Sequence, residues 1–194
     1  MKHPVARQHG ATLIEVLVSI IIVVFGLLGL AGLQSRVSLA EVEAFQRAQA
    51  ILLLQDMVSR INANRRNATS YVTASPLGTG NAAADCSTSA NTAALDLCEW
   101  NNALLGATEG LGGNNVGAMQ DARGCIANTV AAMPKEFQIS VVWRGSAPTV
   151  APGATTCGQG SYSNDATRRA LTATVKLGCL QNNTANGTCI STYN

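Results

Sequence analysis

The strongest constraint on this chain is the apolar segment from Ala11 to Leu33, in which Glu15 is the only charged residue. An α-helix rises about 1.5 Å per residue, so this segment is long enough to cross the ~30 Å hydrocarbon core of a bilayer. A leader containing Lys2 and Arg7 precedes it, and this positive charge favours a cytoplasmic N-terminus. We therefore expect one membrane-spanning helix, with the following residues on the periplasmic side.

Gly10 lies at an unusual place for a signal-peptide cleavage site. A secretory signal peptide is cut after its apolar stretch, whereas this small residue stands before it. Cleavage after Gly10 would keep the apolar helix and make Ala11 the new N-terminal residue. An uncleaved signal anchor fits the same length and charge bias, but it leaves Glu15 unexplained. Because a carboxylate in an apolar helix is costly unless paired, we expect a partner, and the ammonium of Ala11 on a neighbouring subunit is a candidate.

Charge and histidine content limit the function classes. The leader accounts for the formal net charge of +2, and the remainder of the chain is balanced, so no broad nucleic-acid surface is expected. Both histidines, His3 and His9, lie in the leader. A processed chain would therefore lack Ser-His-Asp, Cys-His and His-ligated metal sites. We expect no enzyme, no cofactor and no metal site.

The six cysteines are widely spaced and include no Cys-x-x-Cys pair. Such spacing is typical of disulfides in an exported domain rather than of a zinc site. Sequence does not select among the pairings that six cysteines allow. Proximity along the chain favours Cys86 with Cys98, Cys125 with Cys157, and Cys179 with Cys189.

The stretch "GATLIEVLVSI", which begins at Gly10, resembles the class III signal of type IV prepilins. In that family a membrane aspartic peptidase cuts after the glycine and methylates the new amine. The continuation "VVFGLLGLAGLQ" resembles PilV-type minor pilins, called type IV pilus modification proteins. The resemblance implies cleavage between Gly10 and Ala11, N-methylation of Ala11, and neutralisation of a neighbouring subunit's N-terminus by Glu15.

The resemblance also implies a minor pilin that helps to prime pilus assembly, in a tip complex with other minor pilins. Its partners would be those minor pilins, the major pilin, prepilin peptidase, the inner-membrane assembly platform and inner-membrane lipid, with no nucleic acid. The protein would cross the inner membrane once, with a periplasmic head, before it enters the pilus. Two alternatives stay open: a type II secretion pseudopilin, and a head that acts as a tip adhesin or DNA-uptake module.

Three glycines, Gly26, Gly29 and Gly32, interrupt the apolar helix, and each costs up to about 1 kcal/mol relative to alanine. Small residues permit close packing of membrane helices, which is one explanation. The resemblance implies another, a segment that unwinds when the subunit leaves the bilayer. The residues themselves do not decide between these two explanations.

The chain is expected to divide into a leader (1–10), a membrane or filament-core helix (11–33), an amphipathic continuation (34–63) and a periplasmic head (64–194). The continuation is predicted from apolar residues spaced three or four apart. These residues are Val37, Ala40, Ala44, Ala48, Ile51, Leu54, Val58 and Ile61.

The head is expected to be α+β and pilin-like, with the long helix packed on a small antiparallel, disulfide-stapled sheet. Alternation predicts strands from Phe137 to Trp143 and from Leu171 to Leu177, with a third strand near residues 125–130. A short helix is expected over residues 93–105. Trp100 and Trp143 are predicted core residues, and the pair at positions 168 and 169, both arginine, is predicted to be a solvated turn.

Overall fold

The computed structural model describes residues 12–107, 110–111, 114–115, 119–132, 134–178, 181–182 and 189–191. The chain forms two compact units, Met1–Val42 and Glu43–Asn194. Helix α1 covers Leu13–Ala63, so each unit contains part of it. No proline interrupts this helix, which is why a single hydrogen-bonded ladder can extend so far.

The second unit continues from α1 through short elements into a sheet. A 3₁₀ segment (Arg65–Tyr71) follows α1. In chain order the remaining elements are β1 (Leu77–Gly78), a 3₁₀ turn (Cys86–Thr88), α2 (Thr92–Leu104), β2 (Gly110–Leu111), β3 (Asn114–Asn115), β4 (Arg123–Val130), β5 (Lys135–Arg144), a 3₁₀ turn (Asp165–Thr167), β6 (Arg168–Leu177), β7 (Gln181–Asn182) and β8 (Cys189–Ser191).

The main sheet is antiparallel and has the strand order β1-β4-β5-β6. Strands β5 and β6 pair without a break from Lys135 opposite Leu177 to Arg144 opposite Arg168. Strands β4 and β5 shift register once, between residues 128 and 130. Together with α1, this sheet confirms the predicted α+β architecture, including the expected third strand and the short helix α2.

One apolar core lies between α1, α2 and one face of the sheet. The alternating side chains of β5, from Phe137 to Trp143, supply the sheet side of this core, and all are nearly inaccessible to solvent. Trp100 of α2 is fully buried, and its Nε1 donates a hydrogen bond to the Leu53 carbonyl of α1 at 3.0 Å. Both predicted tryptophan anchors are thus confirmed. Fully burying one large apolar side chain contributes about 1.5–3 kcal/mol.

The predicted apolar face of α1 is partly wrong. Ala44, Ala48 and Ile51 are exposed, whereas Leu54 and Ile61 are buried as expected. The face that packs in the core consists of Gln46, Ala50, Leu54, Met57 and Ile61. Apolar residues occupy two sides of this helix, and periodicity alone does not show which side the sheet covers.

Two disulfides staple the head. Cys86 pairs with Cys98 and joins a 3₁₀ turn to α2, and Cys125 pairs with Cys157. The second bond closes a longer loop and holds residues 145–167 against the outer side of β5, where Val142, Cys157 and Tyr162 form a small second core. The third expected pairing, Cys179 with Cys189, lies outside the residues whose side chains the structure describes.

Candidate assembly site

Glu15 lies in the first turn of α1, where the positive end of the helix dipole favours a carboxylate. Its backbone N–H donates to the Thr12 carbonyl at 3.0 Å, and its own carbonyl accepts the Ser19 hydroxyl at 2.7 Å. Its side chain is exposed and makes no ion pair or hydrogen bond with the part of the chain that the structure describes. The carboxylate is therefore free to meet a charge on another molecule. Gly10 and Ala11 lie outside the described residues.

The helix around Glu15 is apolar on all sides in the first unit. Among the described residues, α1 is the one helix long and apolar enough to cross a membrane, with a window of mean hydropathy 2.9. Leu13 and Phe25 are 78% and 70% exposed, and most of their neighbours are also more than half exposed. An apolar surface of this extent requires a lipid or protein environment.

The glycines of the apolar helix have open space around them. A Cβ added at Gly26, Gly29 or Gly32 would meet no atom within 4 Å. Substitution therefore costs nothing sterically in the single chain. The two explanations, close packing against another helix and local unwinding, both remain predictions.

At the start of the second unit, Glu43 ties α1 to the loop before β6. Its Oε1 accepts the Ser146 N–H at 3.0 Å and lies 3.5 Å from Nη2 of Arg169. Arg169 also donates to the Thr149 hydroxyl at 2.7 Å and to the Ala147 carbonyl at 2.8 Å. This arginine is a structural connector between the helix and the loop.

Arg168 is 1% exposed, so the expectation of a solvated arginine turn is wrong. Its guanidinium donates to Asp165 at 2.7 Å and to the carbonyls of Thr155 and Cys157 at 3.0 and 3.2 Å. The hydrogen bond from Arg168 holds the pKa of the Asp165 carboxyl below its usual value. Together these bonds satisfy backbone acceptors of the disulfide-linked loop.

A polar clamp that sequence reasoning missed joins the end of α1 to α2. Arg60 contacts Asp56 at 2.8 Å, Asp96 at 2.9 Å and Glu99 at 2.5 Å. The hydroxyl of Tyr71 donates to the other oxygen of Asp96. Burial, followed by this hydrogen bond, raises the pKa of Tyr71 to about 12. Asp56 and Arg60 are four residues apart, but the groups from α2 and the 3₁₀ segment are distant in the sequence, so no local motif predicts the clamp.

Two of the surface depressions formed by the described residues of the head are relevant to binding. One, of about 390 Å³, lies between α1 and β6 and includes Arg47, Trp143 and Leu171. The other, of about 410 Å³, is lined by uncharged polar groups such as Gln138 and Gln159 beside the Cys125–Cys157 bond. Across the described residues, no cluster of His, Cys, Asp or Glu is arranged to hold a metal ion.

A long N-terminal helix packed on a four-stranded antiparallel sheet with two disulfides defines a pilin-like α+β fold. Comparison with known protein families gives a more specific assignment within this fold class. Residues 32–103 match the Tt1218-like model, described as type IV pilin Tt1218, and residues 5–31 match the prokaryotic N-terminal methylation motif. No curated protein and no solved structure matches the chain.

The two family matches support a type IV pilin with a prepilin signal and a role in a type IV pilus. They are matches to a structural family rather than to an enzyme family. A prepilin signal on an apolar helix implies membrane anchoring followed by incorporation into a pilus. It also implies, in general, processing by prepilin peptidase and assembly with other pilins.

Proposed function

We propose that this protein is a minor pilin of the PilV type that helps to prime type IV pilus assembly in a tip complex with other minor pilins. The observation that carries this proposal is Glu15, a carboxylate without a partner in the described chain, placed in an otherwise apolar helix. Prepilin peptidase would cut after Gly10 and methylate Ala11. The Ala11 ammonium of one subunit would then face Glu15 of a neighbour.

The physical basis is the cost of an unpaired charge in lipid. Transfer of a carboxylate into a membrane helix costs up to about 3 kcal/mol on insertion scales, a value that applies at the helix centre and falls toward the end where Glu15 lies. Pairing with an ammonium in the low-dielectric interior of a helix bundle offsets this cost, because Coulomb attraction strengthens as the dielectric constant falls. Release from the bilayer into a filament is favoured only when the pair forms. Glu15 would thus select subunits that are correctly staggered along the helix axis.

The glycine-spaced run from Phe25 to Gly32 favours a pilus subunit over a type II secretion pseudopilin. Both kinds of subunit share the signal and the helix. Deletion of the gene would separate them, because loss of pili supports the first assignment and loss of protein secretion supports the second.

The docking role is tested by replacing Glu15 with alanine in a cell that assembles pili. We expect Glu15→Ala to insert into the membrane normally and to be recovered in sheared pili at a level lower by about tenfold or more, equivalent to about 1.4 kcal/mol. Glu41→Ala, which removes a carboxylate from the same helix beyond the apolar segment, serves as the matched control. Normal incorporation of Glu15→Ala together with normal piliation would contradict the proposed role.

A further inference from the structure

Among the residues that the structure describes, β6 is the last strand of the main sheet, and this side is called the open edge. The opposite edge is covered, because β1 pairs with β4 and Thr73 donates its N–H to the Ile126 carbonyl at 3.0 Å. Strand β6 pairs with β5 along its whole length, without a bulge, and contains no proline. Natural sheets usually protect such edges with bulges, prolines, short strands or charged side chains, and β6 carries charges only near its two ends, so the regular uncharged stretch between them needs an explanation.

The hydrogen-bond pattern shows which groups face outward. The Gly145 N–H donates to the Thr167 carbonyl at 2.8 Å, so this position has the phase of a hydrogen-bonded pair, although the Thr167 N–H donates to Asn164 instead. Such pairs alternate along an antiparallel ladder. The backbone groups of Leu171, Ala173 and Val175 therefore point to β5. Those of the residues between them, including Thr172 and Thr174, point away from the sheet.

These outward groups have no backbone partner among the described residues. The outward-facing residues are Ala170, Thr172, Thr174 and Lys176, and the last three of these side chains are exposed. Their amides and carbonyls form a row at the spacing that one further strand requires.

An apolar surface accompanies this edge. Leu171 and Ala173 pack against the core but are only partly buried. Ala44 lines the depression beside Leu171, and Ile51 lies two turns along the same side of α1, where it is 38% exposed. One additional strand beside β6 would cover these side chains, which explains why this apolar side of the helix is left outside the core.

Charge identifies the kind of strand that fits. Strand β6 contains Arg168, Arg169 and Lys176 and no acidic residue. Each of these bases already meets an acidic side chain within the chain: Arg168 lies 2.7 Å from Asp165, Arg169 3.5 Å from Glu43 and Lys176 2.6 Å from Glu136. Arg47, in the depression beside β6, has an exposed side chain without a partner among the described residues. The unpaired Arg47 favours an acidic incoming strand. Since β6 contains no acidic residue, pairing with β6 of a second copy would not supply one, which favours a strand from a different protein.

We propose that β6 is a docking edge that receives an extended, acidic strand from another subunit of the pilus. The inference rests on the proposed minor-pilin function, since it takes the partner to be a pilin. Backbone hydrogen bonds to β6 would supply the register, and an acidic side chain on the incoming strand would meet Arg47. The sheet of this head would thereby continue into its neighbour.

Amide hydrogen exchange at single-residue resolution tests the docking edge. The full chain in detergent is compared alone and co-purified with the pilin subunits encoded beside it. We expect the outward amides of Thr172 and Thr174 to slow by about tenfold or more on co-purification, whereas the inward amide of Ala173 is already slow in the chain alone. This alternation is specific to strand addition.

The other outcomes are decisive. Unchanged outward amides in a co-purified complex would overturn the docking edge and leave the pilin function standing. Failure of those subunits to co-purify would overturn both. Outward protection that grows with the concentration of the chain alone would show pairing between two copies and overturn the assignment to a different subunit.

Substitutions provide an independent test. Thr172→Pro removes an outward N–H without removing a bond to β5, and we expect it to reduce recovery of the partner by about tenfold. Thr172→Val keeps the N–H and should bind normally, with slow exchange at Ala173 showing that both variants are folded. Arg47→Glu should also reduce recovery, whereas Arg66→Glu, at an exposed arginine of the 3₁₀ segment, should not. Equal recovery for all four variants would overturn the proposal.

Discussion

At the residue scale, Gly124 shows how closely the head is packed. A Cβ at this position would collide with the indole ring of Trp100 and lie 2.8 Å from Cδ1 of Leu104. We predict that Gly124→Ala lowers the free energy of unfolding by about 1–3 kcal/mol, because neither α2 side chain has room to withdraw. Gly153→Ala, which meets no atom within 4 Å, should change it by less than about 0.5 kcal/mol.

The measurement is guanidinium denaturation of the full chain in detergent, followed by tryptophan fluorescence, since both tryptophans are buried in the head. Equal stabilities for the two alanine variants would show that β4 and α2 are less closely packed than the structure indicates.

Individual residues also show what sequence can and cannot predict. Phe137 and Trp143 are found from alternation alone, because a strand with one buried face must repeat every second residue. The burial of Arg168 is missed because the two neighbouring arginines were treated alike, whereas adjacent residues on a strand face opposite sides. Its burial depends on the carbonyls of a loop that no sequence pattern locates.

At the element scale, the clamp between α1, α2 and the 3₁₀ segment gives a pH-dependent prediction. Burial and the hydrogen bond to Asp96 raise the pKa of Tyr71 from 10.0 to about 12. A raised folded-state pKa contributes stability that is fully present below pH 10 and is lost as the pH rises toward 12. The free energy of unfolding should therefore fall over this interval, and by less in Tyr71→Phe.

Denaturant titrations of wild type and Tyr71→Phe across this pH range check the prediction. Burial also raises the pKa of Tyr162, but this residue is present in both proteins and affects both alike. Identical pH dependence in the two proteins would mean that the Tyr71 hydroxyl has the same pKa in the folded and the unfolded chain, which would contradict the prediction.

The elements and the buried face of β5 were largely predictable, whereas the core-facing side of α1 was not. The existence of α1 and of strands β5 and β6 follows from periodicity, whereas no clear period marks α2 and β4. Chain proximity suggested the two disulfides found among the described residues. The core-facing side of α1 was misassigned at Ala44, Ala48 and Ile51, which lie on the side near the open edge of β6. Apolar periodicity does not distinguish the side of a helix that packs in the core from a side that only another subunit covers.

At the scale of the whole molecule, we assign a different recognition role to each of the two units. The first unit presents an apolar segment, 11–33, whose one charged residue is Glu15, a carboxylate without a partner among the described residues, which suits recognition of another helix terminus. The second presents a disulfide-stapled head with an open sheet edge. Sequence alone could suggest the first, because charge and hydropathy are local properties. It could not suggest the second, because an open edge is a property of the assembled sheet.

The central claim, that this chain is a prepilin processed for assembly, is tested most directly by the intact mass of the protein recovered from sheared pili. Cleavage after Gly10 predicts a chain that begins at Ala11, with one added methyl group if the amine is modified. A full-length chain that retains Met1 in the assembled pili would contradict the account.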